Sequence, residues 1–333
     1  MNVLVTGGTG YIGSHTCIEL LNENHEVIIA DNFSNSKPEV LDSIKQITNK
    51  EVTFYNYNIC DKEKMELIFK KHTIDAVIHF AGYKAVGESV EKPLEYYQNN
   101  LISTLVLCDV MKKYNCNTLV FSSSATVYGK PEVVPIKEEA TTGPTTNPYG
   151  STKLMLEQIL KDIQFSNSQL SVYLLRYFNP IGAHESGLLG EDPTGIPNNL
   201  MPYILQVASG KLEYLGVFGD DYETPDGTGV RDYIHVVDLA QGHVKALESK
   251  QPASTYVYNL GTGIGYSVLD IVSKFEEVTG QKVPYQILER RPGDIATCYA
   301  DPSKANLELG WKAKKDIKQM CIDSWKYALT KYK

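Results

Sequence analysis

The amino-acid sequence predicts an α/β protein built on a doubly wound parallel sheet, with a second, smaller α/β domain that binds the substrate. In the first 180 residues, short Val- and Ile-rich runs alternate with stretches of helical periodicity, which indicates strands covered by helices on both faces. After about residue 180, Gly, Pro, Asn and Tyr become frequent and this alternation ends. We therefore expect one domain at 1–180 and another at 181–333, in a chain that can cross back to the first domain.

The individual elements follow from the same periodicities. A proline at the start of several predicted helices suits the first helical turn. We expect strands at Asn2–Thr6, Val27–Ala30, Val52–Tyr55, Ala76–Phe80, Thr118–Phe121 and Val172–Arg176. We expect helices at Tyr11–Leu21, Pro38–Ile47, Lys62–Lys71, Pro93–Tyr114, Tyr149–Phe165, Leu200–Ala208, Val236–Leu247 and Val268–Val278.

The overall charge and hydropathy exclude several classes of partner. The chain has 333 residues, of which 42% are hydrophobic, and a formal net charge of −8. Such an acidic balance argues against nucleic acid or an anionic membrane as the main partner. No apolar run reaches the roughly 18 residues that a membrane span requires. The N-terminus also lacks the pattern of a signal peptide.

The six cysteines show neither Cys-x-x-Cys pairs nor the spacing of metal ligands. We interpret them as reduced thiols of a cytoplasmic protein, and we expect no disulfide framework and no metal site.

A glycine-rich turn between the first strand and the first helix predicts a dinucleotide site. Gly7, Gly10 and Gly13 permit a tight turn and a close approach of the backbone to a pyrophosphate, which the helix N-terminus attracts. Asp31 ends the second strand and follows Gly13 by 18 residues, the place of a ribose-binding carboxylate. Its charge would repel a 2′-phosphate, so we expect NAD in a Rossmann-type fold. The alternative is a glycine-rich turn that binds nothing.

The carboxyl ends of the other parallel strands should face the same crevice. Lys84 is a candidate counter-charge for the pyrophosphate, with an ordinary solvated lysine as the alternative. The residues at these ends are Asn58 and Ile59, Phe80 to Gly82 with Lys84, and Ser122 to Ser124.

Tyr149 and Lys153 form a candidate catalytic pair. They stand four residues apart, so one face of a helix presents both. A phenol has a pKa of about 10, and a lysine charge or a nicotinamide cation nearby could bring it near 7, where a general base works best. Tyr327 and Lys331 have the same spacing but follow no cofactor strand. We interpret that second pair as a surface pair, which is also the alternative for the first.

Seven segments of the chain resemble the extended short-chain dehydrogenase/reductase family, over nearly its whole length. They are GGTGYIGSH, HFAGYKAVGESV, SSSATVYG, NPYGSTK, LRYFNPIGAH, VFGDDYETPDGTGVRDYIHV and RRPGD. The resemblance implies that Ser124, Tyr149 and Lys153 are catalytic. It also implies NAD contacts from Tyr11, Ile12, Asp31, Asn32, Phe33, Ser34, Asn35, Ser36, Asn58, Ile59, Phe80, Ala81, Gly82, Tyr83, Lys84, Asn99, Ser122 and Phe178. Asn58 departs from the family, which usually has Asp there, but an Asn can accept the same hydrogen bond.

The resemblance further implies a UDP-sugar site in the second half of the chain. Two of the four arginines fall on it, and Arg pairs with phosphate through two parallel hydrogen bonds. Ordinary surface ion pairs are the alternative for both arginines. The implied contacts are Ser124, Tyr149, Asn179, Asn199, Leu200, Gly216, Val217, Phe218, Arg231, Tyr233, Arg291, Asp294 and Cys298.

Within that family, the match is close to members that interconvert UDP-glucose and UDP-galactose at C4. Relatives that eliminate water carry acidic residues after the catalytic serine or threonine, where this chain has Ala125 to Val127. The small Cys298 implies that UDP-N-acetylglucosamine and UDP-N-acetylgalactosamine also fit. The resemblance implies a homodimer formed by the helices at 93–114 and 149–165. The alternatives are another nucleotide-sugar epimerase, a 4,6-dehydratase, or a non-enzymatic NAD-binding sensor.

Overall fold

A computed structural model describes residues 1–193, 197–291 and 293–332. Strands and helices alternate through the first half and become shorter in the second. The strands are β1 (Asn2–Thr6), β2 (Glu26–Asp31), β3 (Thr53–Asn56), β4 (Ala76–His79), β5 (Thr118–Ser122), β6 (Ser171–Tyr177), β7 (Asn179–Ile181), β8 (Leu215–Phe218), β9 (Val230–His235), β10 (Thr255–Leu260), β11 (Gly265–Ser267), β12 (Tyr285–Leu288) and β13 (Thr297–Cys298).

The helices, in the same chain order, are α1 (Tyr11–Asn22), α2 (Glu39–Thr48), α3 (Lys62–Lys71), α4 (Val86–Glu91), α5 (Pro93–Lys113), α6 (Pro148–Ser166), α7 (Leu200–Ala208), α8 (Val236–Leu247), α9 (Val268–Thr279), α10 (Ser303–Glu308) and α11 (Ile317–Lys331). A short 3-10 helix covers Ala125–Tyr128. The predicted elements agree with these bounds to within about two residues, as expected where ends fray.

Seven parallel strands form the main sheet, in the order β10-β6-β5-β4-β1-β2-β3. Their buried Val, Leu and Ile side chains form the cores on the two faces of the sheet. The strand order reverses at β1, so the crevice at the carboxyl ends of β1 and β4 is where such a fold binds its ligand. The predicted fold class, a doubly wound parallel sheet, is confirmed.

The second half of the chain adds a strand and a helix to the main α/β unit and also forms two smaller sheets. Strand β10 pairs with β6 in the main sheet, and α8 packs on α1. The other strands form a smaller sheet around β9 and a two-stranded sheet of β8 and β12. Helices α7, α9 and α11 share a third apolar core. The division at residue 180 stays a prediction.

Local capping explains where key helices begin. Asn147 caps α6 by accepting a hydrogen bond from the Gly150 amide at 2.8 Å, and Pro148 fills the first turn. Ser267 and Asp270 form a reciprocal capping box at α9, which ends at Gly280 in the left-handed conformation. None of the helices in the described ranges combines the length and hydropathy that crossing a membrane requires.

Candidate active site

The glycine turn between β1 and α1 leaves no room for side chains. A Cβ atom on Gly13 would stand 2.2 Å from the Gly7 carbonyl oxygen, and one on Gly7 would stand 2.7 Å from the Ala81 nitrogen. The first helical hydrogen bond runs from the Ser14 amide to the Gly10 carbonyl, so the amides of residues 11 to 13 precede it. With no acidic residue in its first turn, this helix end suits a pyrophosphate.

Asp31 lies at the carboxyl end of β2, beside that turn. Its Oδ2 accepts a hydrogen bond from the Thr9 amide at 3.2 Å, and its Oδ1 accepts one from the Phe33 amide at 2.9 Å. Ser36 Oγ adds a longer contact of 3.4 Å to Oδ1 and also pairs with Thr9 Oγ1. The carboxylate is therefore buried and oriented by the segment that the resemblance assigns to NAD.

Of the remaining predicted cofactor residues, Asn58 follows β3, Lys84 follows β4 and Asn99 lies on α5. Asn58 Oδ1 accepts from the Cys60 amide at 2.9 Å, and Cys60 Sγ lies 3.7 Å from the Asn99 carbonyl. Lys84 Nζ lies 3.1 Å from Glu191 Oε1. The Lys84 side chain is 44% exposed, and although partial desolvation opposes its charge, the Glu191 carboxylate outweighs this effect and raises the pKa of Lys84.

Sequence reasoning missed Asn100, which shapes the loop after β4. Its Oδ1 accepts from the Tyr83 amide at 2.8 Å, while its Nδ2 donates to the Tyr83 carbonyl at 3.0 Å and to Thr152 Oγ1 at 3.1 Å. One amide thus joins the predicted cofactor loop to the helix that carries Tyr149. The available signal was an uncharged polar residue on the buried face of a helix.

These features together fit a dinucleotide. A side-chain-free turn faces the end of a helix, a fixed carboxylate ends the next strand, and Lys84 supplies a cation. NAD would be held by the amides of residues 11 to 13 at its pyrophosphate and by Asp31 at a ribose.

Helix α6 brings Tyr149 and Lys153 to the end of β5, where Ser124 lies. All three side chains are buried. Lys153 Nζ donates to the Ser122 carbonyl at 2.7 Å and lies 5.9 Å from the centre of the Tyr149 ring. Ser124 Oγ accepts from the Thr126 amide at 3.2 Å and interacts with the Tyr149 hydroxyl. The predicted catalytic side chains therefore meet in one place.

The sequence left open whether a lysine charge or a nicotinamide cation brings the Tyr149 pKa near 7, and in the structure the lysine does not offset the effect of burial. Burial raises the pKa of Tyr149 well above its usual value, and the neighbouring Tyr177 adds to this effect, while Ser124 lowers it. Lys153 is engaged with the Ser122 carbonyl and does not dominate. A phenolate at this position therefore needs positive charge from outside the chain, which the nicotinamide ring of NAD⁺ can supply.

Burial also lowers the pKa of Lys153, to about 8, although Glu157 acts in the opposite direction. Glu157 lies one helical turn further along α6. A lysine with such a pKa changes charge close to physiological pH, so its ammonium is sensitive to ligands that bind beside it.

A buried polar network holds the catalytic helix against the sheet. Arg176 on β6 forms a two-point ion pair with Glu157, with nitrogen–oxygen distances of 2.9 and 2.6 Å. Glu157 Oε1 also accepts from Ser123 Oγ at 2.6 Å, and Arg176 NH1 donates to the Tyr128 hydroxyl at 3.0 Å. Because Ser123 precedes Ser124, this network fixes the strand end and α6 relative to each other.

The predicted substrate residues come from several elements of the second half. Asn179 on β7 stands opposite Tyr233 on β9, and Cys298 on β13 stands opposite Arg231. Asn199 is the N-cap of α7, before Leu200. Strand β8 contributes Gly216, Val217 and Phe218.

The two arginines of this predicted site have different surroundings. Arg291 stacks on the Phe218 ring at 3.8 Å, and Arg231 lies 4.0 Å from Asp294 and donates to the Val230 carbonyl at 2.9 Å. Neither arginine is locked in a two-point ion pair like that of Arg176, so both retain donors for a phosphate. Within the predicted RRPGD motif, Pro292 lies outside the described residues.

The interpretation of the second Tyr/Lys pair as a surface pair is wrong for Tyr327, which is buried and lines a small pocket with Tyr11 and Glu191. The Tyr327 ring packs on Gly190, where a Cβ would be 2.5 Å from the ring, and Lys331 Nζ lies 2.9 Å from Asp192 Oδ2. Across the described ranges, no group of three or more His, Cys, Asp or Glu side chains is placed to hold a metal ion.

The Lys153 pKa predicts a pH dependence of stability. Below about pH 8 both folded and unfolded chains bind the Lys153 proton, but the folded chain loses it at about 8 and the unfolded chain at about 10.4. In that window the unfolded chain binds more protons, so this residue's contribution to stability rises with pH. The free energy of unfolding of the wild type minus that of Lys153→Met should rise by about 2 kcal/mol from pH 7 to pH 10. Urea unfolding measures it, and a flat difference would contradict the assignment.

Known proteins resemble this chain from end to end. Residues 4–324 match the family model described as GDP-mannose 4,6 dehydratase. The UDP-glucose 4-epimerase of Bacillus subtilis (strain 168) is 62% identical over 328 residues, which cover 98% of this chain and 96% of that protein.

Solved structures of UDP-sugar 4-epimerases are also similar to this chain over its whole length. The UDP-glucose 4-epimerase from Bifidobacterium longum, in complex with NAD⁺ and UDP, is 57% identical with a TM-score of 0.97, covering 99% of this chain and 98% of that chain. The UDP-Glc/GlcNAc 4-epimerase from Campylobacter jejuni is 32% identical with a TM-score of 0.85, covering 99% of both chains. With its parallel sheet, glycine turn and buried Tyr149–Lys153 pair, the chain belongs to the extended short-chain dehydrogenase/reductase family, in the group of the UDP-glucose 4-epimerases.

Proposed function

We propose that the chain interconverts UDP-glucose and UDP-galactose by transient oxidation at C4, with NAD as its resident cofactor. The observation that carries this proposal is the meeting of Ser124, Tyr149 and Lys153 beside the glycine turn at the carboxyl edge of the sheet. The similar B. longum enzyme is named for this activity and was solved with NAD⁺ and UDP. Bound NAD⁺ supplies the hydride acceptor and a positive charge.

In this mechanism the chain's residues move a proton and orient the sugar. Tyr149 accepts the proton of the 4-hydroxyl group as C4 is oxidised, and it returns a proton when the keto sugar is reduced on its other face. Ser124 donates a hydrogen bond to the same oxygen. Lys153, held by the Ser122 carbonyl, keeps positive charge near the phenolate. Because oxidation and reduction alternate on one sugar, no external oxidant is consumed.

The alternative dehydratase activity lacks its acid and base. Elimination of water needs a proton donor and acceptor beside the 5,6 bond. The residues after Ser124 are Ala125, Thr126 and Val127, which form the short 3-10 helix, and Thr126 turns its hydroxyl to Ser124 Oγ at 3.0 Å. We therefore favour epimerisation over elimination, although the matching family model is described as a dehydratase.

Substrate affinity should reside in the UDP group. The sugar must turn over between the two hydride transfers, so tight sugar contacts would slow the reaction. Arg231 and Arg291 offer guanidinium donors to the phosphates. The Arg291 guanidinium stacks on the ring of Phe218, which belongs to β8. We propose that residues 1–180 bind mainly NAD and 181–333 mainly the UDP-sugar, with β10 returned to the main sheet.

We also place the protein in the cytoplasm, because its six cysteines are unpaired thiols.

Replacing the catalytic phenol tests the proposed reaction. Tyr149→Phe removes the proton acceptor but keeps the buried ring, so kcat should fall by at least about 100-fold. The assay follows UDP-galactose formation from UDP-glucose without added NAD. Tyr256→Phe, the same change on the edge strand β10, removes a hydroxyl that donates to the Pro252 carbonyl, serves as the control and should retain activity. Near wild-type turnover of Tyr149→Phe would refute the mechanism.

Cys298 supports activity on N-acetylated substrates. This buried thiol packs with Phe178, Val127 and Tyr128, next to the segment that follows Ser124. Its strand pairs with β9 at Arg231, so it lies between the predicted nucleotide and catalytic residues. A small side chain there leaves space for an acetamido group. The similar enzyme from Campylobacter jejuni is named a UDP-Glc/GlcNAc 4-epimerase.

Filling that space should change substrate range. In Cys298→Tyr, a phenol ring replaces the thiol, so kcat/KM for UDP-N-acetylglucosamine should fall by at least about ten-fold relative to that for UDP-glucose. Cys298→Ser, which keeps the size, is the matched control. Equal losses on both substrates would mean that Cys298 does not gate the acetamido group.

We also propose a homodimer formed by α5 and α6. The helices pack on each other, and Leu105 and Met155 are each 45% exposed, while Leu101, Cys108, Leu154 and Ile159 are only partly buried. The alternative, in which these apolar side chains all face the sheet, does not hold for the exposed Leu105 and Met155. Leu94 and Ile102 extend the exposed apolar face along α5, which a second copy of this chain would cover.

A charge on that face should separate the copies. Leu105→Glu places a carboxylate in the proposed interface, so sedimentation at micromolar concentration should show monomers where the wild type shows dimers. Leu307→Glu alters an even more exposed leucine, 86% accessible on α10, and should leave the mass unchanged. A wild-type monomer, or a Leu105→Glu dimer, would contradict this interface.

A further inference from the structure

A carboxylate outside the proposed catalytic and binding sets connects the two binding sites. Glu191 lies between β7 and α7, and its side chain is 10% exposed. Its Oε1 accepts hydrogen bonds from Lys84 Nζ at 3.1 Å and from Asn199 Nδ2 at 2.7 Å. Lys84 ends the loop assigned to NAD, and Asn199 is assigned to the UDP-sugar. A single oxygen atom therefore contacts one residue of each site.

The backbone around Glu191 is anchored on both sides. Asp192 Oδ2 accepts from Lys37 Nζ at 2.5 Å and from Lys331 Nζ at 2.9 Å. Lys37 directly follows the segment that Asp31 organises, and Lys331 belongs to α11. On the other side, Gly190 lies against the Tyr327 ring, closer than any side chain would allow. Glu191 is thus held between the cofactor loops and the C-terminal helix.

The shared oxygen can orient both ligands. A lysine ammonium has three donors on a flexible stem, and an asparagine amide has two donors and one acceptor. Glu191 takes one donor from each, which leaves the others for NAD and for the UDP-sugar. If a bound nucleotide takes the Asn199 amide away from Glu191 Oε1, this oxygen loses one of its two hydrogen bonds. The contact between Glu191 Oε1 and Lys84 Nζ then changes, because both donors share that atom.

We propose that Glu191 is a positioning residue that couples the NAD site to the UDP-sugar site, so that each ligand strengthens the binding of the other. This inference rests on the proposed function for the roles of Lys84 and Asn199. Coupling between two sites is reciprocal: if UDP slows the loss of NAD through tighter binding, NAD must tighten UDP by the same equilibrium factor. The occupants are a dinucleotide pyrophosphate on one side and a uridine diphosphate on the other.

The test measures release of NAD from the purified holoenzyme, with and without saturating UDP. In the wild type, UDP should slow NAD release by about ten-fold, as expected for one charge-assisted hydrogen bond. In Glu191→Ala the UDP effect should fall to within two-fold of none, while KM for UDP-glucose rises more than kcat falls. Glu191→Gln keeps the size and one acceptor oxygen, and should show an intermediate effect; it also serves if the alanine variant fails to fold.

Glu185→Ala is the matched control, because it removes an exposed carboxylate from the same segment. It should retain the full UDP effect. A wild type in which UDP leaves NAD release unchanged, or a Glu191 variant that keeps the wild-type effect, would overturn the coupling. The NAD-release measurements do not require turnover, so an inactive wild type would refute the proposed function while leaving this result to be read separately.

Discussion

The buried ion pair between Arg176 and Glu157 is the interaction on which the catalytic geometry depends. It joins β6 to α6, and the Glu157 carboxylate also accepts a hydrogen bond from the Ser123 hydroxyl at the end of β5. Removing either partner would leave an unpaired charge away from water, a cost of several kcal/mol. The pair therefore keeps Lys153, one turn before Glu157, in register with Ser124. Catalysis needs such fixed distances, since small misplacements of reacting groups cost large factors in rate.

Local sequence patterns predict much of this architecture. The glycine turn, the capping Asn147 with Pro148, and the carboxylate of Asp31 each report a backbone requirement that few other residues satisfy. A parallel sheet then brings the strand ends together by topology alone. Positions near each strand end could therefore be assigned to one crevice before their distances were known. The sequence allowed the chain to cross back to the first domain but did not identify β10 as the returning strand, because pairing between distant segments leaves no local periodicity.

What sequence could not show is the balance between burial and charge. The pairing of Tyr149 with Lys153 suggested an acidic phenol, yet desolvation dominates and raises its pKa. Asn100 and Glu191 were missed for a related reason: each acts through partners distant in sequence, such as Thr152 and Lys84. A buried amide or carboxylate signals that a partner exists, but only the fold identifies it.

Because the Tyr149 pKa is raised by burial, the charge of a bound cofactor decides whether Tyr149 acts as a base. With no ligand bound, a protonated phenol in a dry pocket is inert, so the chain alone does not hold a strong base. Positive charge introduced with an oxidised cofactor favours the phenolate, and this charge disappears once hydride has been accepted. Loss of this charge raises the proton affinity of Tyr149, which therefore keeps the proton while the sugar is in its keto form, and the affinity falls again as hydride returns to the sugar and the 4-oxygen takes the proton back. Coupling the proton affinity of Tyr149 to the redox state of its neighbour in this way drives both halves of a reversible reaction with one residue.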